Sequence, residues 1–267
     1  MGRTLVKSIL ALLLSSSLVK HLLYLIYKEM LRGNGIVDAQ NLSQRLTTVA
    51  KFVPQGARVA DIGSDHGYLP AALALQGQIE YAVAGEVVRG PYENAVSEIK
   101  KLDLAKIIQA RLADGLAAIK DSDRIDTITI AGMGGALITQ ILDAHPEKLI
   151  GVTRLILQPN VGEARLREWL MNHQFQIMAE RMVAEDGHIY EVIVAEPSIV
   201  PFRYSKYELT FGPFLLEQRS PVFTQKWQNE LQRQENVLQQ IKRASQPPVA
   251  KIKQQEEYID LIREVLN

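Results

Sequence analysis

Val59-Ala60-Asp61-Ile62-Gly63-Ser64-Asp65-His66-Gly67-Tyr68-Leu69 is an apolar run that enters a turn of small and acidic residues and leaves it as a helix. Gly63 and Gly67 supply the tight turn and a backbone that a ligand can approach closely. The helix that follows presents free N–H groups at its positive end. The glycines do not follow G-x-G-x-x-G, and Asp61 stands where a pyrophosphate would be repelled, so a dinucleotide is a poor fit.

Outward from this turn, from residue 41 on, amphipathic segments alternate with short β-rich runs at the spacing of βα units. The pattern predicts strands over Arg58–Ile62, Tyr81–Val87, Ile107–Leu112, Thr127–Ala131, Arg154–Leu157, Ile177–Ala184 and Val192–Ala195. It predicts helices over Tyr68–Leu75, Pro91–Lys101, Gly135–Leu142 and Glu163–Asn172. The expected fold class is α/β, a Rossmann-like doubly wound sheet. Only Glu185-Asp186-Gly187-His188 separates the last two strands, so they should close the sheet as an antiparallel hairpin at one edge.

Three acids fall at three successive strand ends. Asp61 lies in the first turn, Glu86 in Gly85-Glu86-Val87, and Asp114 in Ala113-Asp114-Gly115-Leu116. Each has a plainer reading alone: Asp61 and Asp114 as turn or helix caps, Glu86 as a solvated strand end. Together they lie where ligands bind in open α/β sheets, at the carboxyl ends of the strands. The expected cofactor is S-adenosylmethionine. Asp61 and Asp65 can meet its ammonium, Glu86 can accept from both ribose hydroxyls, Asp114 from the adenine amine, and Leu116 can pack on the ring. Gly63, His66, Tyr68, Leu69, Val87 and Gly115 complete this side of the predicted cradle. Ala131-Gly132-Met133-Gly134-Gly135 follows the fourth strand and leaves room for backbone to face a transferred methyl, although a tight turn with Met133 as core filler also explains it. Gln158 and Asn160, in Leu157-Gln158-Pro159-Asn160, could hydrogen-bond a substrate base, or the Pro-Asn pair could serve a turn. Asp65 and His66 are the remaining candidates for orienting a base, with a capping or core role for His66 as the alternative.

The bulk numbers set bounds. The chain has 267 residues, of which 47% are hydrophobic and 22% charged, as in a soluble globular protein. Thirty Lys plus Arg balance thirty Asp plus Glu, so a nucleic-acid partner would need a local basic patch. With no Cys, disulfides, thiolate metal sites and cysteine nucleophiles are excluded. No metal site is expected. Leu5–Tyr27 is mostly apolar, but its longest uncharged run, Ser8–Val19, is too short to span a bilayer, and no small-residue cleavage site follows. Residues 1–37 are read as a non-native extension from an upstream start codon. A peripheral helix is the alternative, and membrane contact is expected only if residues 1–36 are real.

Residues 38–200 thus form the predicted catalytic domain and residues 201–267 a helical one. In the latter, Trp227, Leu231, Leu238 and Ile241, then Ile252, Ile259, Ile262 and Leu266, recur at helical spacing around Pro247-Pro248. Two antiparallel helices of about 20 residues, about 30 Å long, would follow, too narrow to bury a core alone.

Taken together, the chain resembles the bacterial tRNA (adenine(22)-N1)-methyltransferase family from about residue 38 to the end. The resemblance rests on Leu42-Ser43-Gln44-Arg45-Leu46, Ala60-Asp61-Ile62-Gly63-Ser64-Asp65-His66, Gly85-Glu86-Val87, Asp114-Gly115-Leu116, Ala131-Gly132-Met133-Gly134-Gly135, Leu157-Gln158-Pro159-Asn160, Tyr190-Glu191 and Phe211-Gly212-Pro213. It departs at Gly67, where the family usually carries a small side chain such as Ala, and at Ala113, where Gly is common. The resemblance implies a Rossmann-like S-adenosylmethionine-dependent methyltransferase domain, a C-terminal helical coiled-coil hairpin, a cytoplasmic enzyme, and methyl transfer to adenine N1 in the D-loop region of tRNA. No obligate protein partner is expected. A methyltransferase of a small molecule or protein, or a non-catalytic RNA-binding protein, is the alternative. Lys226, Arg233, Lys242, Arg243, Lys251 and Lys253, with Arg165 and Arg167, are the expected RNA contacts, unless the interleaved acids make them helix–helix pairs.

Overall fold

The computed structural model describes residues 38–243 and 248–267, so the reading of residues 1–37 as an extension and part of the Pro247-Pro248 break lie outside the described residues. A short helix, α1 (Gln44–Ala50), precedes the sheet, with Ser43 capping its N-terminus by accepting from the Leu46 amide at 3.1 Å. The chain then alternates β1 (Ala57–Ile62), α2 (Tyr68–Leu75), β2 (Ile79–Glu86), α3 (Arg89–Lys101), β3 (Ile108–Leu112), β4 (Thr127–Gly134), α4 (Gly135–Ala144), β5 (Arg154–Val161), α5 (Glu163–Asn172), β6 (Phe175–Glu185) and β7 (His188–Pro197). The seven strands form one sheet in the order β3-β2-β1-β4-β5-β7-β6. The first five run parallel, and the β6–β7 hairpin closes one edge in the antiparallel sense.

Strand alternation sends successive side chains to opposite faces. Ala60 and Ile62 join Ile138, Leu142, Leu166 and Leu170 in one core layer, while Val59 joins Val49, Leu69, Leu73 and Ile99 in the other. The structure corrects the predicted bounds of three strands, with β7 starting at His188, four residues before the expected Val192. β4 continues through Gly134 and β5 through Val161, because Ala131, Met133 and Gly134 pair with Gln158, Pro159 and Val161 across a register shift. The two motifs read as turns after strands are strand ends that satisfy each other's backbone groups.

Beyond the sheet lie α6 (Lys206–Phe211), α7 (Pro213–Gln218), α8 (Pro221–Lys242) and α9 (Val249–Leu266). The last two form the expected pair, while α6 and α7 have no counterpart in the sequence reading. Phe211, Leu215, Phe223, Trp227, Ile262 and Val265 bury a small third core against Met182 of β6. Further along the pair, Gln255 bonds Gln234 at 2.6 Å, Lys242 bonds Glu256 at 2.6 Å and Arg263 bonds Glu235 at 2.8 Å.

A buried ionic cluster fastens this helical region to the sheet. The Arg167 side chain on α5 is fully buried and donates through Nε to Glu180 at 2.7 Å and through Nη2 to Glu191. Lys226 of α8 reaches Glu191 and Glu163, each at 2.6 Å. Gly212, between α6 and α7, has φ +87°, and a Cβ there would meet Arg167 Nη2 and Glu180 Oε2 at 2.7 Å. Only glycine fits that corner. Arg167 and Lys226 are thereby removed from the predicted RNA contacts, since their charges are spent inside the fold. Removing one partner of a buried pair leaves an uncompensated charge. Arg167→Leu should therefore lower the unfolding free energy, measured by urea titration, by about 3–5 kcal/mol. A loss within the scatter of surface substitutions would show that the cluster does not hold the fold.

Candidate active site

The carboxyl edge of the sheet gathers most of the predicted residues. After β1 the chain turns through Gly63, at φ +71°, and the amides of Gly63 and Ser64 both donate to the Gly85 carbonyl, at 2.9 and 3.3 Å. Asp65 adopts the left-handed region at φ +56°. There its own amide donates to the Glu86 carboxylate. The turn is thus stitched to the end of β2. Asp61 is buried and accepts from the Ser64 hydroxyl and, at 2.6 Å, from the Thr129 hydroxyl of β4. Burial raises its carboxyl above the ordinary range, opposed by those two hydroxyls and by the charge of Arg45. Burial likewise raises Glu86, whose second oxygen has no partner among the described residues.

Asp114 is exposed at the end of β3 and makes no capping hydrogen bond. Leu116 is fully buried in the core, so its side chain is not the surface on which a ring could pack. The exposed apolar side chains there are Val87 and Leu112, the latter opposite Glu86 in the β2–β3 register. Leu69 is also buried, while Tyr68 is half-buried and stacks with His66 at 5.0 Å. His66 Nδ1 lies 3.0 Å from Asp65 Oδ1, and its Nε2 lies 3.5 Å from Asn94, so the ring leans toward α3.

The opposite wall is built from β4, β5 and α1. The Met133 side chain reaches back over the glycine turn, and a Cβ on Gly63 would meet its Cε at 2.0 Å. Gln158 is fully buried. Its Oε1 accepts from Arg45 Nη1 at 2.7 Å and from the Gly132 amide at 2.9 Å, while its Nε2 donates to Pro159 O at 2.9 Å and to Asn160 Oδ1 at 3.2 Å. That corrects the expectation that Gln158 meets a substrate base: its amide is fully engaged in holding the wall. Asn160 stays exposed while its Nδ2 donates to the Gly132 carbonyl at 2.8 Å. Gly115 follows β3, and Ala131 and Gly134 fall in the last residues of β4, at the same carboxyl edge of the sheet. No hydrogen bond among the described residues joins the Asp65–His66 pair to Gln158 and Asn160.

Sequence reasoning missed Arg45, Thr129, Tyr190 and Glu185. Arg45 projects from α1, lies over the Tyr190 ring at 5.5 Å and faces the open side of Gly132. Glu185, at the tip of the hairpin, accepts from the amides of Gln44 and Arg45, at 2.5 and 3.1 Å, and so clamps the start of α1. The run Leu42–Leu46 carries part of the family resemblance, but no spacing rule ties a helix before β1 to the ends of β4 and β5.

The arrangement suits a ligand that is a zwitterion at one end and a nucleoside at the other: a buried carboxylate in the field of the Arg45 guanidinium, then acids at the next two strand ends, around a turn bounded by Gly63 and Gly67. Among the described residues, no group of three or more His, Asp or Glu could hold a metal ion. Such a sheet, with these residues at its carboxyl edge, is the Rossmann-like fold of S-adenosylmethionine-dependent methyltransferases. A family model described as tRNA (adenine(22)-N(1))-methyltransferase matches residues 59–264. The chain is 42% identical over 232 residues to the Bacillus subtilis tRNA (adenine(22)-N(1))-methyltransferase, covering 85% of this chain and 97% of that protein. It is similar to a Streptococcus pneumoniae protein solved in complex with S-adenosyl-L-methionine, with 47% identity and TM-score 0.78 over 84% of this chain and 99% of that one. It is also similar to Mycoplasma capricolum TrmK in complex with S-adenosyl-homocysteine, with 28% identity and TM-score 0.75 over 85% and 99%. The chain belongs to the tRNA (adenine(22)-N(1))-methyltransferase family.

Asp61 separates ligand binding from stability. A carboxyl raised on folding holds its proton more tightly in the folded state, so its ionised form costs stability above the raised value. That cost is relieved as the pH falls toward the ordinary 3.8. Asp61→Asn should therefore flatten the pH dependence of Tm in that interval and leave the free protein at least as stable at pH 7. It should also weaken S-adenosylmethionine binding, measured calorimetrically, by about tenfold or more. A variant that binds the cofactor as the parent does would remove Asp61 from the site.

Proposed function

We propose that the chain transfers the methyl group of S-adenosyl-L-methionine to N1 of an adenine in the D-loop region of tRNA, as a cytoplasmic enzyme. The observation that carries this is the pair of buried carboxylates, Asp61 and Glu86, on adjacent strand ends of a chain of this family. When bound, the cofactor supplies an electrophilic methyl that a ring nitrogen can take by in-line displacement, the sulfur keeping the electron pair. Adenine N1 carries a lone pair at neutral pH, so no residue has to remove a proton first. The chain's task is then positioning and electrostatics.

In this reading Asp61 faces the ammonium and Arg45 the carboxylate of the amino-acid end. The free oxygen of Glu86 meets the ribose hydroxyls, Asp114 meets the adenine amine, and Val87 and Leu112 flank the ring. Gly132, Met133 and Gly134 border the methyl. Asn160 is the exposed polar group on the far wall and orients the target base. Asp65 and His66 stand on the near side, while Gln158 is a positioning residue. N1 lies on the Watson–Crick edge, so the target nucleotide has to be turned out of its stack.

Residues 38–200 would then hold cofactor and base, and residues 201–267 would grip tRNA. Arg233 is engaged with Glu230, Lys242 with Glu256 and Lys253 with Glu257, whereas Arg243, Lys251 and the exposed Arg165 make no ion pair among the described residues. The exposed cations Arg243 and Lys251, at the far end of the α8–α9 pair, support an RNA contact there. Reversing the charge of Lys242, Arg243 and Lys251 should weaken tRNA binding about tenfold at moderate salt and leave cofactor affinity alone. Equal tRNA affinity would move the clamp elsewhere.

The direct test is transfer of labelled methyl from S-adenosylmethionine to unmodified tRNA, with the nucleoside identified by mass spectrometry. N1-methyladenosine in the D-loop region, lost with Asp61→Ala, is the expected result. Cofactor binding without transfer to any tRNA would overturn the substrate assignment.

A further inference from the structure

The β6–β7 hairpin reaches beyond its neighbour. β7 pairs with β5 only through Ala195, Val194 and Ile193, against Leu155, Ile156 and Leu157. Because β7 is antiparallel to β5, residues His188–Val192 lie past the carboxyl end of that pairing, where the only strand that pairs with them is β6, through Arg181–Glu185. The arm therefore overhangs the edge where the proposed reaction takes place. Its tip does not hang free, because Glu185 bonds the first amides of α1.

Side chains two apart on a strand share a face. His188 and Tyr190 stack at 6.1 Å with 25° between their planes, and the Arg45 guanidinium lies over the other end of this row, 5.5 Å from the Tyr190 ring. Arg45 in turn bonds Gln158, which holds Gly132 and Asn160. A continuous row of planar groups thus runs from solvent to the wall of the site. His188 is exposed, yet its orientation is fixed: Nδ1 lies 3.0 Å from the Asp186 carbonyl, which can only accept. A solvent-facing ring held in place by its own turn stands ready for a flat partner. Asp186 and Glu185 are the acids nearby. Glu185 is occupied by α1, and Asp186 sits at the turn with φ +50°.

We infer that the His188–Tyr190 face of this arm is a stacking platform for an unpaired tRNA nucleotide adjacent to the target adenine. The inference rests on the proposed tRNA substrate and adds to it the surface that receives the flanking base. Unpaired bases are recognised largely by stacking on aromatic rings, which tolerates any base because every base has a π-face. A base stacked here would be next to the opening through which its neighbour reaches Gly132 and Asn160. The platform would hold the nucleotide that stays outside while the target turns in.

The test uses the full chain and an unmodified tRNA carrying 2-aminopurine at the nucleotide next to the target, whose fluorescence falls on stacking. The parent protein should quench it. His188→Ala should lose most of the quenching and raise the KM for tRNA about tenfold, with kcat and the Kd for S-adenosylmethionine held. His188→Phe, which keeps a planar ring at the exposed end of the row, should restore the quenching and the KM. Parental quenching and KM in His188→Ala would overturn the platform, and so would a tenfold drop in cofactor affinity or a Tm brought down to the assay temperature. The fluorescence arm reads binding without turnover. A parent protein that transfers no methyl therefore defeats the functional reading, whereas an indifferent His188→Ala defeats only the platform.

Discussion

The Arg167 guanidinium, sealed between Glu180 and Glu191, is the interaction around which the molecule is assembled. A buried cation needs partners on every side, and its two carboxylates come from the two strands of the terminal hairpin. Its remaining donor reaches the carbonyls of Leu209 and Thr210 at the end of α6. The second oxygen of Glu180 accepts from the Phe214 amide at the start of α7. Lys226 then brings α8 onto Glu191. Burial alone would raise Glu191, but Arg167 and Lys226 outweigh it and hold the carboxyl below the usual range. Glu180, with one cation to face, remains raised by its burial. Glu191, the carboxylate that faces both cations, is the one that joins the sheet to the C-terminal helices.

Strand alternation gives this anchor its reach. On β7, Glu191 points into the ionic cluster while its neighbour Tyr190 lies under Arg45 on the other face. One strand therefore carries the fastening of the helical region on one side and the wall of the candidate site on the other. The hairpin tip returns the favour by capping α1, the element that delivers Arg45. The Lys226–Glu191 contact of the C-terminal helices is thus one strand thick from Tyr190 and Arg45.

The sheet was legible because its causes are local. Apolar runs of the right length, broken by glycine and small polar residues, placed all seven strands and the four intervening helices within a few residues. The three acids were legible because strand ends in a parallel sheet fall on one edge, whatever the loops do. What was hidden is non-local. Gln158 looks like a ligand-facing amide in sequence, and only the pairing of β4 with β5 shows that its four hydrogen bonds are already made. Leu116 follows an acid and a glycine as a ring-packing residue would, yet the short helical turn over Gly115–Ala118 rotates it into the core. Arg167 and Lys226 look like surface cations in amphipathic helices. Their burial depends on carboxylates 13 to 63 residues away, and on a glycine corner at Gly212 that composition cannot reveal.

The engaged state of Gln158 also bears on how such a site could work without a base. A displacement at a methyl group depends on alignment more than on proton transfer, so small errors in backbone position are costly. The Ala131–Gly134 run is flexible by composition, and an unrestrained glycine segment would blur the alignment. Here it is held from three directions: by its strand pairing with β5, by the Gln158 and Asn160 amides on Gly132, and by Met133 packed against Gly63. The glycines give the close approach, and the buried amide removes the freedom that comes with it. Arg45 completes the restraint from outside the sheet, which makes α1 a part of the site and not a leader to it.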